Sequence, residues 1–223
     1  MYSWGSGEFG RLGYCDTRRQ THPRQISDLR PNKILKVALG SYHACAISDQ
    51  GAVFTWGRGN SGQLGRGNVM NEDSVRQVSA LQDEKIIDVA CGEAHTCVLT
   101  ESGEVYTWGA GQAGQLGHGD YLRQSLPIKV ANIPQKISQI ACGKRHTACV
   151  SIEGIVYSWG SNEFGQLGRT APVTPLKLNV KRNPTVQNIL VGSAKTSPQT
   201  NFIQTNNQFM TVGYHKIPLS TDN

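Results

Sequence analysis

The sequence predicts an all-β protein: a partial β-propeller of about four blades, each a four-stranded antiparallel sheet. Three observations carry this. Trp4, Trp56, Trp108 and Trp159 stand 52, 52 and 51 residues apart, a period that belongs to propellers and repeat arrays. Within each period lie four short β-rich stretches bounded by Gly, Asp, Asn and Ser, the pattern of strands joined by tight turns. Glycine supplies 25 of 223 residues, well above the ~7 % usual in globular chains.

The elements follow in order. The first strand of a period is K-I-x-x-[VI]-A, and it opens the segments KILKVALGSYHACAIS, KIIDVACGEAHTCVLT and KISQIACGKRHTACVS. These align Gly40, Gly92 and Gly143, and also His43, His95 and His146. The second strand is H-x-x-x-[IVL]. A turn (DQG, ESG or EG) ends at Gly51, Gly103 or Gly154 and leads into the third strand, AVFTWG, EVYTWG or IVYSWG. The fourth, weaker strand is read in RQISDL, RQVSAL and PIKVANI. A single blade leaves its faces exposed, so neighbours must stack. Trp4, Trp56, Trp108 and Trp159 are therefore expected to pack the blades, and each repeated imidazole to be buried and hydrogen-bonded within its own blade.

Each tryptophan is followed by a glycine cluster. Gly5, Gly7 and Gly10, Gly57, Gly59 and Gly62, and Gly109, Gly111 and Gly114 share the spacing G-x-G-x-x-G, while the fourth copy has Asn162 in the middle. A dinucleotide-binding loop of this spacing opens a helix and has an acidic residue about 20 positions on. Here QLGHGDYLRQSLPIKV follows, with two more glycines and a proline, and opens no helix. The glycines are assigned to positive-φ turns and close backbone packing.

The unit W-G-x-[GN]-x-x-G-[QR]-L-G, preceded by G-x-x-H-[TA] and a strand, resembles the repeat of the regulator of chromosome condensation family, the RCC1-like repeats. The resemblance covers residues 1–168 well. Residues 169–223 resemble a degenerate last repeat with a basic C-terminal cap: TPLKLNV matches LPIKVAN, VQNILVGSAKT matches KISQIACGKRHT with Lys195 at the histidine position, and Val212 takes the tryptophan's place. The family's fold is a propeller, usually of seven blades, which at this period would need on the order of 350 residues. The chain is thus a piece of a longer protein, an unusually small closed propeller, or an open stack capped by its tail or a partner. Exposed strand edges in an open stack invite self-association or completion by a partner.

Catalysis, cofactors and metals are not expected. Cys91, His95 and Cys97 form C-x-x-x-H-x-C, but the set is not maintained in the other repeats, and zinc favours four ligands at paired short spacings. No nucleophile signature such as G-x-S-x-G is present. The six cysteines are read as reduced, buried small hydrophobes. Residues 1–168 carry 16 Lys and Arg against 15 Asp and Glu, whereas residues 169–223 carry 6 against 1. No run of five or six basic residues favours nucleic acid, and no stretch approaches the length of a membrane span. The expected location is intracellular, cytoplasmic or nuclear.

What remains is a non-catalytic scaffold or adaptor that binds protein partners through its loops and takes no small-molecule substrate. The variable loops YCDTRRQTH, RGNVMNEDS and HGDYLRQS offer Arg18, Arg19, Glu72, Asp73, Asp120, Tyr121 and Arg123 as candidate contacts. The resemblance implies a second reading, a guanine-nucleotide exchange factor for a Ran-like small GTPase, although the even repeat spacing leaves no room for an inserted wedge between Trp4 and Trp159. A third is the substrate-recognition piece of a larger ubiquitin-ligase or kinase protein.

Overall fold

The computed structural model describes residues 1–168 and 174–177 and the backbone of three further strands, 186–191, 201–205 and 208–212. The chain forms β1 (Tyr2–Gly5), β2 (Gln20–Gln25), β3 (Ile34–Leu39), β4 (His43–Ser48), β5 (Val53–Gly57), β6 (Glu72–Gln77), β7 (Ile86–Cys91), β8 (His95–Thr100) and β9 (Val105–Gly109). It continues with β10 (Gln124–Lys129), β11 (Ile137–Cys142), β12 (His146–Ser151), β13 (Val156–Gly160), β14 (Leu176–Lys177), β15 (Val186–Val191), β16 (Asn201–Thr205) and β17 (Gln208–Val212). Three complete antiparallel sheets, β3–β6, β7–β10 and β11–β14, are flanked by the pair β1–β2 and the triplet β15–β17. These are the four-stranded blades that the 52-residue period predicts, with a partial sheet at each end of the described chain.

The apolar core lies between the blades. One apolar cluster joins Ile26 and Leu29 to Ala44, Ala46, Phe54 and Trp56 of the next blade. A second joins Cys45, Ile47, Val78 and Leu81 to Ile86, Val89, Val98 and Trp108. A third joins Cys97, Leu99 and Val130 to Ile140, Cys149, Tyr157 and Trp159. Every cluster spans one blade boundary, so β4, β8 and β12, which have a neighbour on each side, are buried along their whole length. Alternation fails in these strands because both faces are core. The first strand of each blade also carries an irregularity at the same place, between Ile34 and Lys36, Ile86 and Asp88, Ile137 and Gln139, and Val186 and Asn188. Such a bulge increases local twist and is repeated blade by blade.

Four expectations are corrected. The fourth strand lies earlier than RQISDL and RQVSAL suggest: β2 and β6 end at Gln25 and Gln77, and the following residues turn in short 3-10 helices at Ser27–Leu29 and Ser79–Leu81. There Ile26, Leu29, Val78 and Leu81 plug the blade boundary, so these apolar residues mark a core corner instead of a strand. Trp4 does not pack a blade; it is 59 % exposed, whereas Trp56, Trp108 and Trp159 are at most 1 % exposed. Each buried indole lies against the preceding blade, and the described residues place none before Trp4.

The repeated histidines His43, His95 and His146 are buried, but the bonds of the first two leave the blade: His43 Nε2 reaches Thr96 Oγ1 and His95 Nε2 reaches Thr147 Oγ1, both at 3.0 Å and both in the next sheet. Finally, all six thiols are free, but Cys91 is only partly buried and Cys15 is exposed, the latter in a surface loop where it adopts φ 59°. In the last repeat, Asn201 pairs with Val212 as Thr147 pairs with Trp159. Lys195 and the basic cap fall outside the described residues.

Candidate functional site: one end of the blade stack

An up-and-down sheet puts alternate loops at the same end. The turns between first and second strands and the long loops between third and fourth strands therefore share one end of every blade. A backbone bond ties the two together in each blade: Arg58 N to Tyr42 O, Ala110 N to Ala94 O and Ser161 N to Arg145 O, at 2.8–2.9 Å. All the candidate contact residues lie on the long loops or at the starts of the strands that follow them.

The long loops are built to a common plan. In each, an Asp or Asn side chain accepts the amide two residues on: Asp16 Oδ1 from Arg18 N at 2.9 Å, Asn68 Oδ1 from Met70 N at 3.1 Å, and Asp120 Oδ1 from Leu122 N at 2.9 Å. This local turn is what short polar side chains do well. The carbonyl of the residue so held then lies over the middle glycine of the W-G-x-G cluster. A Cβ on Gly7 would stand 2.1 Å from Arg18 O, one on Gly59 1.8 Å from Met70 O, and one on Gly111 1.8 Å from Leu122 O. The middle glycine thus admits a loop carbonyl and cradles no phosphate.

The outcome is a rigid turn with a variable tip. The tips read Thr17-Arg18-Arg19, Val69-Met70-Asn71 and Tyr121-Leu122-Arg123, and all nine residues are exposed. Of the residues singled out in the sequence, Arg18, Arg19, Tyr121 and Arg123 sit on tips, while Asp120 is the turn anchor. Glu72 is drawn into an ion pair with Arg66 at 2.9 Å and accepts from Ser74, and Asp73 packs against Gly10. Val69, Met70 and Leu122 were not singled out; their signal was the Asp or Asn placed two residues before Met70 and Leu122.

At the first blade boundary the same end carries an arginine–aromatic cluster. The Arg58 guanidinium lies 5.0 Å from the Phe9 ring centroid and 5.6 Å from that of Tyr42, and Arg11 lies 5.3 Å from Tyr42. The two rings meet edge to face at 5.3 Å, a favourable geometry for aromatic and cation–π contacts. Further along, Lys144 approaches Glu93 and Arg145 approaches Glu163, each at 3.8 Å, exposed pairs of small energetic weight.

Among the described interior groups one thiol stands apart: burial pushes Cys142 up, but hydrogen bonding to Cys97 and the nearby His95 outweigh it and hold the thiol below its ordinary range. Burial pushes the Cys45, Cys97 and Cys149 thiols far up, so they stay protonated and poorly nucleophilic. Burial likewise holds His43 down at about 3, with the neighbouring His95 adding to the effect, which leaves it neutral at physiological pH. Among the described residues no group of three or more His, Cys, Asp or Glu is placed to hold a metal ion. Nor is any helix there long and apolar enough to cross a membrane.

A stack of four-stranded blades with anchored, variable loops at one end defines a β-propeller repeat protein. The chain belongs to the RCC1-like domain family, whose model matches residues 1–217. It is 44 % identical over 176 residues to the E3 ubiquitin-protein ligase HERC2 of Mus musculus, covering 76 % of this chain and 4 % of that one. It is 36 % identical over 204 residues to the ultraviolet-B receptor UVR8 of Arabidopsis thaliana, covering 90 % of this chain and 46 % of the receptor. The chain therefore spans less than half the length of these relatives. Among solved structures, human WBSCR16 superposes with a TM-score of 0.82 at 26 % identity, covering 96 % of this chain and 56 % of that one. Prp20p of Saccharomyces cerevisiae, described with its binding to Gsp1p and histones, gives 0.81 at 26 % identity, with 96 % and 53 % covered.

Proposed function

We propose that this protein is a non-catalytic interaction module that binds a protein partner through the loop end of its blades. The observation that carries the reading is the set of anchored turns, which hold nine exposed side chains of differing chemistry on a common backbone frame. Preorganised loops lose little conformational entropy on binding. Exposed Met70 and Tyr121 are of the adaptable and aromatic kinds enriched at interfaces, and exposed Leu122 adds apolar area beside Tyr121.

The family relationship supports a second reading, exchange of guanine nucleotide on a small GTPase, because Prp20p is described as binding Gsp1p. Exchange requires only that a surface bind the nucleotide-free GTPase better than the loaded one. HERC2 supports a third, substrate recognition within a larger ligase.

The experiment is capture from cell extract with the chain as bait, with and without EDTA to strip nucleotide, in parallel with a Met70→Ala/Tyr121→Ala/Leu122→Ala triple variant. Partners retained in both arms by the parent and lost by the variant establish the interaction module. A GTPase enriched only with EDTA establishes exchange. Partners indifferent to the triple variant reject the loop end as the binding surface.

A further inference from the structure

The first blade boundary carries three large side chains that the architecture does not require. Phe9, Tyr42 and Arg58 meet there, whereas Ser61, Ala94 and Ala110 hold the same places at the second boundary. The backbone bond from Ala110 N to Ala94 O nonetheless matches the one from Arg58 N to Tyr42 O. Small side chains therefore satisfy the fold at these positions.

One exchange reshapes the loop that bears Phe9. In the later loops Gln63 Oε1 accepts the Ser61 amide at 2.9 Å and Gln115 Oε1 accepts the Ala113 amide at 2.8 Å. Arg11 stands in the glutamine's place and has only donors, which it gives to Ser6 O at 2.9 Å and Ser41 O at 3.1 Å. Phe9, whose amide has lost that acceptor, takes φ 58°, a left-handed conformation uncommon for a bulky residue. In that conformation its ring meets Tyr42 edge to face and lies 5.0 Å from the Arg58 guanidinium.

Arg58 is also set apart by what it lacks. The half-buried arginines among the described residues are Arg11, Arg58, Arg66 and Arg145. Arg11 pairs with Glu8, Arg66 with Glu72 and Arg145 with Glu163. The Arg58 guanidinium has no hydrogen bond or ion pair among the described residues. Its face is taken by two rings, and its N–H edge has the geometry that grips a carboxylate bidentately.

We propose that Arg58, backed by Phe9 and Tyr42, receives a glutamate or aspartate side chain of the protein partner; this rests on the loop end being the binding surface. The rings keep water from one side of the pair, which lessens its screening. A single carboxylate fits better than a chain of phosphates, because Glu8 in the same loop and Glu93 in the next turn repel an extended polyanion.

The test titrates the full chain, isotope-labelled at its arginines, with three probes: a ten-residue peptide of alternating Gly and Glu, its Gly and Gln counterpart, and a ten-nucleotide thymidine strand. The Arg58 Nε–H resonance, assigned by its loss in Arg58→Ala, is followed. The glutamate peptide should shift it saturably and bind more tightly than the thymidine strand, and the glutamine peptide should leave it in place. Arg58→Ala should weaken the glutamate peptide about fivefold, Arg58→Lys nearly as much, and Phe9→Ser about threefold. Arg58→Ala and Phe9→Ser copy residues that stand at the second boundary, so both should keep the parent's urea midpoint.

The proposal is overturned if no saturable shift appears, if the thymidine strand binds more tightly, or if Arg58→Ala binds the glutamate peptide as well as the parent. It is also overturned if sedimentation shows a dimer that Arg58→Ala dissolves, which makes the carboxylate this chain's own. The loop-end reading fails separately. Captured partners indifferent to the Met70→Ala/Tyr121→Ala/Leu122→Ala variant reject that surface, whereas partners lost by that variant and kept by Arg58→Ala reject only the carboxylate contact.

Discussion

His43 and Thr96 stand 53 positions apart on the second strands of neighbouring blades, and a 3.0 Å bond joins the imidazole Nε2 to the threonine Oγ1. Because Thr96 gives its own proton to Gln63 O at 2.9 Å, its oxygen is the acceptor and the imidazole carries hydrogen on Nε2. Thr96→Val keeps the shape and removes that acceptor, leaving a buried N–H unpaired. Urea unfolding should show a loss of about 2–3 kcal/mol, with Thr96→Ser within about 1 kcal/mol of the parent.

The same imidazole makes stability depend on pH. Its folded pKa is depressed to about 3 from the ordinary 6.5, chiefly by burial. The unfolded chain therefore binds the extra proton first, and folding loses ground as pH falls. His43 contributes its full share above pH ~6.5, and each unit below that weakens the folding constant about tenfold until pH ~3. Urea midpoints measured from pH 7.5 to 4.5 should decline steadily. His43→Gln, less stable at neutral pH, should show a shallower decline.

Gly40 tests the repeated Gly-x-x-His spacing. A Cβ there would lie 2.2 Å from His43 Cε1 and 2.7 Å from Gly92 O, so Gly40→Ala must displace a buried ring or a backbone carbonyl. A cost of about 2–4 kcal/mol is expected, as for other overpacked core sites. At Gly67 the nearest atom stands 3.6 Å away, so Gly67→Ala should cost only about 1 kcal/mol, from its positive φ.

The tryptophans should divide three to one. Trp108→Ala removes a fully buried indole and its bond to Gln63 O and should cost about 3–5 kcal/mol. Trp4→Ala should change stability by less than about 1 kcal/mol. Acrylamide quenching should find one accessible indole among the four in the parent chain and none in the Trp4→Ala variant.

The regular part of this fold was legible because period and residue type repeat together: the tryptophans, the Gly-x-x-His unit and the glycines of the turn between second and third strands all keep one beat. What the sequence hid is the direction of the contacts. Nothing in the spacing of His43 says that its partner lies in the next repeat, since a residue recurring once per blade serves an intra-blade and an inter-blade bond equally well. Trp4 misled for a related reason: its local sequence matches Trp56, but its burial depends on a neighbour that local sequence does not describe. The fourth strand was misplaced because Ile26 and Val78, β-branched and apolar, look like strand residues and act as corner plugs. At the loop end, charge drew attention to Glu72, which the structure spends on Arg66, and away from Met70 and Leu122.

The carbonyls of Gln63 and Gln115 each accept a threonine hydroxyl and a tryptophan N–H. Two donors saturate one carbonyl oxygen, so each acts as a rivet fixing the spacing of adjacent blades. The tips at 69–71 and 121–123 lie beyond those rivets on loops tethered by their own Asx turns. Asn71 Oδ1 accepts from Gly59 N at 3.0 Å within its own blade, and the tip side chains make none of these inter-blade bonds. The molecule separates a chassis that repeats from blade to blade from a loop surface that differs from blade to blade.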